Sequence, residues 1–174
     1  PSKYGFDEVI LSEQRGIGGG SYFHPYHKIN PDIEPILGKG EYLVDRMNYE
    51  AVEYIKRHKD EPFFLYLSHY AVHTTLDAKW DDIQYFLTKR KELKEKSDHH
   101  TQHGLLKKII QIADYLNLRS LNRLKVKKFR HLDNNNPVLA AMLRSIDEGV
   151  GMIQDTLKSL NLHENTVVVF TSDN

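Results

Sequence analysis

Polar residues follow the two most strongly apolar runs of the sequence. The run Phe63–Leu67 leads through a short polar segment to His73, and the run Thr166–Thr171 leads directly to Ser172, Asp173 and Asn174. Ligands of open α/β sheets bind beyond the carboxyl ends of the strands, so these residues are candidates for chemistry. The carboxylate and carboxamide of Asp173 and Asn174 are hard oxygen donors that suit Ca²⁺ or Mg²⁺. A histidine near such a metal can donate a proton or a hydrogen bond to an anionic ester.

A structural alternative stays open at this point. An Asp-Asn pair after a strand is also a common turn, and one histidine near a strand end often has a structural role. Short motifs carry a high risk of false positives. Residue types and spacing alone therefore favour the turn over the metal site.

The elements that must position these residues alternate between helix and strand. Five consecutive bulky apolar residues at Phe63–Leu67 predict a strand buried on both faces, as in a parallel sheet, and Thr166–Thr171 predicts another. Helices are predicted at Leu43–His58, Trp80–Lys96, Leu105–Leu118 and Pro137–Leu160. This order predicts an α/β fold with a mostly parallel central sheet flanked by helices. If the two strands are parallel neighbours, His73 and Asp173 emerge at the same edge of the sheet.

The strongest periodic signal predicts a long amphipathic helix near the end of the chain. Pro137 fits the first helical position, Asn136 fits the N-cap, and Asn161 ends the helix. Apolar residues recur every three or four positions, which predicts one buried face. They are Leu139, Leu143, Ile146, Val150, Ile153, Leu157 and Leu160.

Composition limits the class of protein. The 174 residues are 40% hydrophobic and 28% charged, which is typical of a globular domain. No run of about 18 apolar residues occurs, so no membrane span is predicted. The absence of cysteine excludes disulfides, thiolate metal sites and a cysteine nucleophile within these residues. The chain starts at Pro1 with no signal pattern and stops at Asn174 just after an apolar run, so we expect both ends to be cut from a longer protein.

The zero net charge hides a basic block. Leu87–Arg130 contains thirteen Lys and Arg against four acidic residues. Such a block can attract polyanions, but a solvated helical surface is the simpler interpretation, and no nucleic-acid partner is predicted. The histidines at 99, 100 and 103 have a spacing compatible with metal binding, but no acid or cysteine completes a recognised arrangement, so an exposed loop is favoured.

Several segments, taken in order, carry a resemblance to a known family. They are Pro1–Asp7, Tyr42–Arg46, Pro62–Ser68 with Ala71–Thr74, Asn136–Met142, Asp147–Gly151 and Phe170–Asn174. Their types and order resemble the type I sulfatases, the arylsulfatase-like branch of the alkaline phosphatase superfamily. The resemblance covers about residues 1–79 and 136–174. It implies that residues 1–174 are part of a sulfatase catalytic domain, in which about residues 81–135 look like a basic helical insertion.

The resemblance also implies roles for the candidate residues. His73 corresponds to the family's histidine that contacts the sulfate ester, and Asp173 and Asn174 correspond to two ligands of a divalent metal, Ca²⁺ or alternatively Mg²⁺. The family usually has Pro after His-Thr, and Thr75 departs from that pattern. The other acidic ligands and the Cys-x-Pro-x-Arg segment, whose Cys becomes the formylglycine nucleophile, are expected upstream of Pro1. A further sulfate-binding Lys is expected downstream, so the chain by itself is expected to be inactive.

The implied function is hydrolysis of sulfate esters, of sulfated carbohydrates in particular. The family resemblance implies a periplasmic, secreted or lysosomal location, and the oligomeric state is not predicted. One alternative is a phosphoester or phosphonate hydrolase of the same superfamily, with Thr or Ser as the nucleophile. Another is a non-catalytic anion-binding module in which Leu87–Arg130 holds a sulfated polymer.

Overall fold

The computed structural model describes residues 5–10, 22–24, 26, 34–97 and 136–172, without the side chains of 94–97. These ranges contain three α-helices, α1 (Leu43–Arg57), α2 (Trp80–Ser97) and α3 (Pro137–Ser159), and a short 3₁₀ helix at His163–Asn165. None of the described helices is both long and apolar enough to cross a bilayer. The chain divides into two compact units, one of Pro1–Ala71 with Arg144–Asn174 and one of Val72–Leu143. The predicted helix at 105–118 lies outside the described residues.

The predicted helices α1 and α2 are confirmed to within one residue at each end. One face of α1 packs on the core, because Ala51, Val52 and Ile55 are all buried. Leu43 and Val44 are buried as well, so the helix is in contact with the core from its first residue. This helix organises the first unit.

Both ends of α3 are confirmed. Asn136 Oδ1 accepts hydrogen bonds from the backbone N–H groups of Val138 at 2.9 Å and Leu139 at 3.3 Å, which is N-cap geometry. At the other end Asn161 takes the left-handed conformation, with φ of 57°. The N–H of Leu162 then bonds to the carbonyl of Leu157 at 2.8 Å, which closes the helix in a Schellman motif.

The predicted apolar stripe of α3 is buried only in part. Leu157 is buried, but Leu143 is 50% exposed, so the expectation of one continuous buried face is wrong at that position. Ala141, Ser145 and Gly149 are buried instead. Small side chains allow a neighbouring helix to approach closely, and a periodicity of large apolar residues does not detect them.

The predicted parallel sheet is not confirmed by the described residues. Neither Phe63–Leu67 nor Thr166–Thr171 forms a strand there, and the β pairing that the described residues contain is an isolated antiparallel bridge between Phe23 and Tyr42. Val167 is 89% exposed. An apolar run predicts that a segment will be buried, but the hydrogen bonds of a strand require partner strands from elsewhere in the chain. The sheet therefore stays a prediction.

Candidate functional site

His73 lies on an irregular segment between the apolar run and α2. Its side chain is exposed, and its Nδ1 atom is in contact with the carbonyl oxygen of Thr74. The peptide bond between Thr74 and Thr75 is cis. The chain returns to the interior at once, because Leu76 is completely buried and Ala78 is 4% exposed. The structure thus presents this imidazole at the surface of a segment whose next apolar residues are buried.

The backbone before His73 is hydrogen-bonded to an aromatic side chain that the sequence analysis did not select. The hydroxyl of Tyr22 donates a hydrogen bond to the carbonyl oxygen of Tyr70 at 3.0 Å. Tyr22 itself is 1% exposed, and its own carbonyl accepts the N–H of Leu43 at 2.7 Å. No local sequence pattern indicates this role, because a tyrosine outside helices and strands has no periodicity that reveals its partner.

His69 is a second histidine on the same segment. Its Nδ1 atom is buried and has no hydrogen-bond partner among the described residues. Burial disfavours the charged imidazolium and lowers the pKa of His69 to about 4. The folded chain therefore keeps His69 neutral down to about pH 4, well below the ordinary pKa of 6.5. The sequence showed only a polar residue at the end of an apolar run.

Glu41 is a buried carboxylate at the start of α1. Its Oε2 atom accepts the N–H groups of Ile36 at 2.9 Å and Leu37 at 2.7 Å, and its Oε1 atom accepts the Tyr26 hydroxyl at 2.8 Å and Arg46 Nη1 at 3.0 Å. Burial opposes ionisation, but these hydrogen bonds outweigh it and lower the pKa of Glu41. Burial and the adjacent carboxylate of Glu41 raise the pKa of Tyr26.

Arg46 completes this ionic network. Its Nε atom donates to Glu50 Oε1 at 2.8 Å and its Nη1 atom donates to the carbonyl of Glu34 at 3.0 Å. Burial opposes its charge, but Glu50 and Glu41 raise the pKa of Arg46. Each charge in the network has an opposite partner, so its chemistry is that of an anchor between the loop 34–42 and α1 rather than that of an acid or base.

The predicted metal ligands Asp173 and Asn174 lie outside the described residues. Within the described ranges, no group of three or more His, Cys, Asp or Glu side chains could hold a metal ion. The histidines at 99–103, and the part of the basic block beyond residue 97, also lie outside the described ranges. The proximity of His73 to Asp173 therefore stays a prediction.

Comparison with known proteins identifies the family of this chain. The model of the Sulfatase family matches residues 2–174. Over 198 residues the chain is 27% identical to an uncharacterized sulfatase of Schizosaccharomyces pombe (strain 972 / ATCC 24843). That match includes 100% of the chain and 35% of the yeast protein, so the chain spans about a third of the length of this curated relative.

Proposed function

Because the chain belongs to the sulfatase family, we propose that the full-length protein hydrolyses sulfate esters and that its substrates are sulfated carbohydrates. The family has an alkaline-phosphatase-like α/β fold. The observation that carries the proposal is the family match over nearly the whole chain, which agrees with the ordered segments recognised in the sequence. The basic block Leu87–Arg130 supports an anionic substrate, because its charge attracts sulfated polymers.

His73 is the residue of this chain that we assign to the substrate. Its exposure supports contact with a ligand, and the buried Leu76 that follows restrains the segment that carries it. A ring N–H of this imidazole donates a hydrogen bond to an oxygen of the sulfate ester and stabilises the charge that develops there. This role requires an accessible side chain on a restrained backbone.

Asp173 and Asn174 are the metal ligands that we assign to this chain. Their oxygen donors fit a hard divalent cation, Ca²⁺ with Mg²⁺ as the alternative, and poorly fit a soft metal. Ca²⁺ takes about six to eight oxygen ligands, so other parts of the full-length protein must supply the rest. When bound, the cation supplies positive charge that stabilises the sulfate oxygens. A formylglycine nucleophile would likewise come from a part of the protein outside this chain.

Phe63–Leu67 and Thr166–Thr171 are proposed as parallel strands of the central sheet in the full-length protein. Phe64 and Phe170 support this assignment, since 75% and 76% of their surface is exposed here. Removing this much apolar surface from water stabilises a protein, and a central sheet with helices on both faces would bury these side chains.

The test is hydrolysis by the full-length protein of a chromogenic aryl sulfate, an aryl phosphate and a sulfated glycan, with and without Ca²⁺. We expect sulfate release that requires the metal and falls at least about 100-fold in His73→Ala. His163→Ala is the matched control, because His163 is also exposed and its partner is the exposed Glu164.

Each alternative has its own outcome in this test. Hydrolysis of the aryl phosphate without the sulfates would identify a phosphoester hydrolase. Salt-sensitive binding of heparin without hydrolysis of any ester would identify an anion-binding module. Activity of His73→Ala equal to that of His163→Ala would remove His73 from the site.

A further inference from the structure

We infer that Tyr22 is a positioning residue for His73, acting through its hydrogen bond to the carbonyl of Tyr70. The inference rests on the proposed function, because the role of His73 is taken from it. The juxtaposition joins residues 48 positions apart in the sequence, across the donor–acceptor distance of 3.0 Å. No catalytic contact is assigned to Tyr22 itself.

Tyr22 is held in place from several sides. It is 1% exposed, its carbonyl accepts the N–H of Leu43 at 2.7 Å, and its ring centroid lies 6.1 Å from that of Tyr42. The next residue, Phe23, forms the isolated antiparallel bridge with Tyr42. A buried donor restrained through its backbone and its ring has one position for its hydroxyl. Tyr22 therefore connects the start of α1 to the segment before His73.

Tyr70 is the residue through which Tyr22 restrains the backbone near His73. Only Ala71 and Val72 separate it from His73, and they form a turn. This segment belongs to neither a helix nor a strand, so no regular hydrogen-bond ladder sets the position of its backbone. A side-chain donor on the last carbonyl before the turn therefore has a direct effect on where the turn begins.

In a hydrolase, a displaced His73 would lower the rate of the chemical step. Rates are sensitive to displacements of reacting groups by about 1 Å, and a hydrogen-bond donor must lie at about 2.7–3.1 Å from the oxygen that it stabilises. Loss of the Tyr22 hydroxyl would leave the aromatic ring in place and release the Tyr70 carbonyl. His73 would then sample positions that are not productive, so kcat should fall more than KM rises.

The experiment compares Tyr22→Phe with Tyr85→Phe in the full-length protein. Tyr85 is the matched control, because it is 50% exposed and lies on α2, outside the segments proposed as strands. On an aryl sulfate we expect Tyr22→Phe to lower kcat about tenfold with KM changed less than about twofold, whereas Tyr85→Phe keeps the wild-type values. Equal kinetics of the two variants would overturn the inference.

A double-mutant cycle distinguishes positioning of His73 from a general structural effect. In a His73→Ala background the residue to be positioned is absent, so Tyr22→Phe should lower kcat no further. An equal fractional loss of kcat in both backgrounds would contradict the inference, since it would mean that Tyr22 acts on something other than His73.

A readout independent of activity separates this inference from the proposed function. In the full-length protein with isotope-labelled histidine, the imidazole resonances of His73 should shift in Tyr22→Phe and should not shift in Tyr85→Phe. If the wild-type protein hydrolyses no sulfate ester, the proposed function fails and these resonances still test the link from Tyr22 to His73. Unchanged His73 resonances in Tyr22→Phe overturn the inference even in an active sulfatase.

Discussion

Asn48 of α1 lies against Gly149 of α3 so closely that a Cβ atom on Gly149 would be 2.0 Å from Asn48 Oδ1. The Nδ2 atom of Asn48 donates to the carbonyl of Ser145 at 2.9 Å, so the amide is directed at the backbone of α3. Asn48 is 2% exposed and its Oδ1 atom has no partner among the described residues. The close approach of α1 and α3 in the first unit therefore requires a residue without a side chain at position 149.

Gly149→Ala is expected to destabilise the protein by about 2–4 kcal/mol, because the added methyl group overlaps a buried side chain that has little room to move. Gly151→Ala is the matched control. It lies in the same helix, nothing is within 4 Å of its Cβ position, and alanine favours the helix by about 0.5–1 kcal/mol. The free energy of unfolding from urea denaturation decides between them, and equal stabilities would contradict the close approach.

Asn48→Ala should relieve the cost of Gly149→Ala. The single substitution removes the hydrogen bond to Ser145 and costs about 1–2 kcal/mol, but it also opens the space that the new methyl group needs. The double mutant should therefore be more stable than the sum of the two single effects by at least about 1 kcal/mol. Additive effects on the free energy of unfolding would show that the two residues are not in contact.

Glu41→Gln should destabilise the protein by about 3–5 kcal/mol, because it leaves the buried Arg46 without the carboxylate that receives its Nη1 atom. Glu50→Gln is the control on the other side of Arg46, where the carboxylate is more exposed, and should cost less. The pKa of Glu41 is lowered from 4.5, so its contribution is present above that pH and is lost as the pH falls through the folded-state pKa. Acid unfolding should therefore be less steep in Glu41→Gln.

His58 should titrate above its ordinary pKa of 6.5. Its Nδ1 atom contacts Glu61 Oε1 and its Nε2 atom lies 3.5 Å from Glu8 Oε2, while the ring of Tyr54 packs on it at 4.3 Å and Arg57 pairs with Glu8. The hydrogen bond to Glu61 is the main cause of the raised pKa.

The imidazolium of His58 therefore contributes stability that is fully present below pH 6.5 and is lost as the pH rises through the folded-state pKa. An NMR titration should show that Glu61→Gln moves the pKa of His58 down toward 6.5. Glu53→Gln, which removes the partner of Lys56 on the same helix, should leave it unchanged. A pKa insensitive to Glu61→Gln would disprove the assigned cause.

His69 should have the opposite effect on stability. Burial lowers the pKa of His69 from 6.5 to about 4, so the unfolded chain binds a proton in this interval and the folded chain does not. Its contribution is present above pH 6.5 and is lost as the pH falls toward 4. His69→Phe, which keeps an aromatic ring and removes the unpartnered buried nitrogen, should flatten the pH dependence of the free energy of unfolding between about 4 and 6.5. An unchanged profile would contradict the lowered pKa of His69.

Helix positions were predictable because their signals are local. The N-cap at Asn136, the helical Pro137 and the helix end at Asn161 each act on backbone groups within a few residues, so the sequence is sufficient to place α3. The family was also recognisable, because several short segments in a fixed order are more specific than any one of them. His73 was selected in the same way, and its exposed position is compatible with that selection.

The sequence by itself determined the positions of α1, α2 and α3, the caps of α3 and the family. Only the tertiary structure decided three further features: Asn48 leaves no room for a side chain at position 149, Tyr22 donates a hydrogen bond to the carbonyl of Tyr70, and the Nδ1 atom of His69 is buried without a partner among the described residues. The apolar run at 166–171 predicts a segment that favours burial, but its residues do not indicate which other strands it would pair with. The physical reason is the range of the interactions. Capping and helical hydrogen bonds join residues up to about four positions apart, whereas packing and side-chain hydrogen bonds here join residues 48 and 97 positions apart, which only the folded chain brings together.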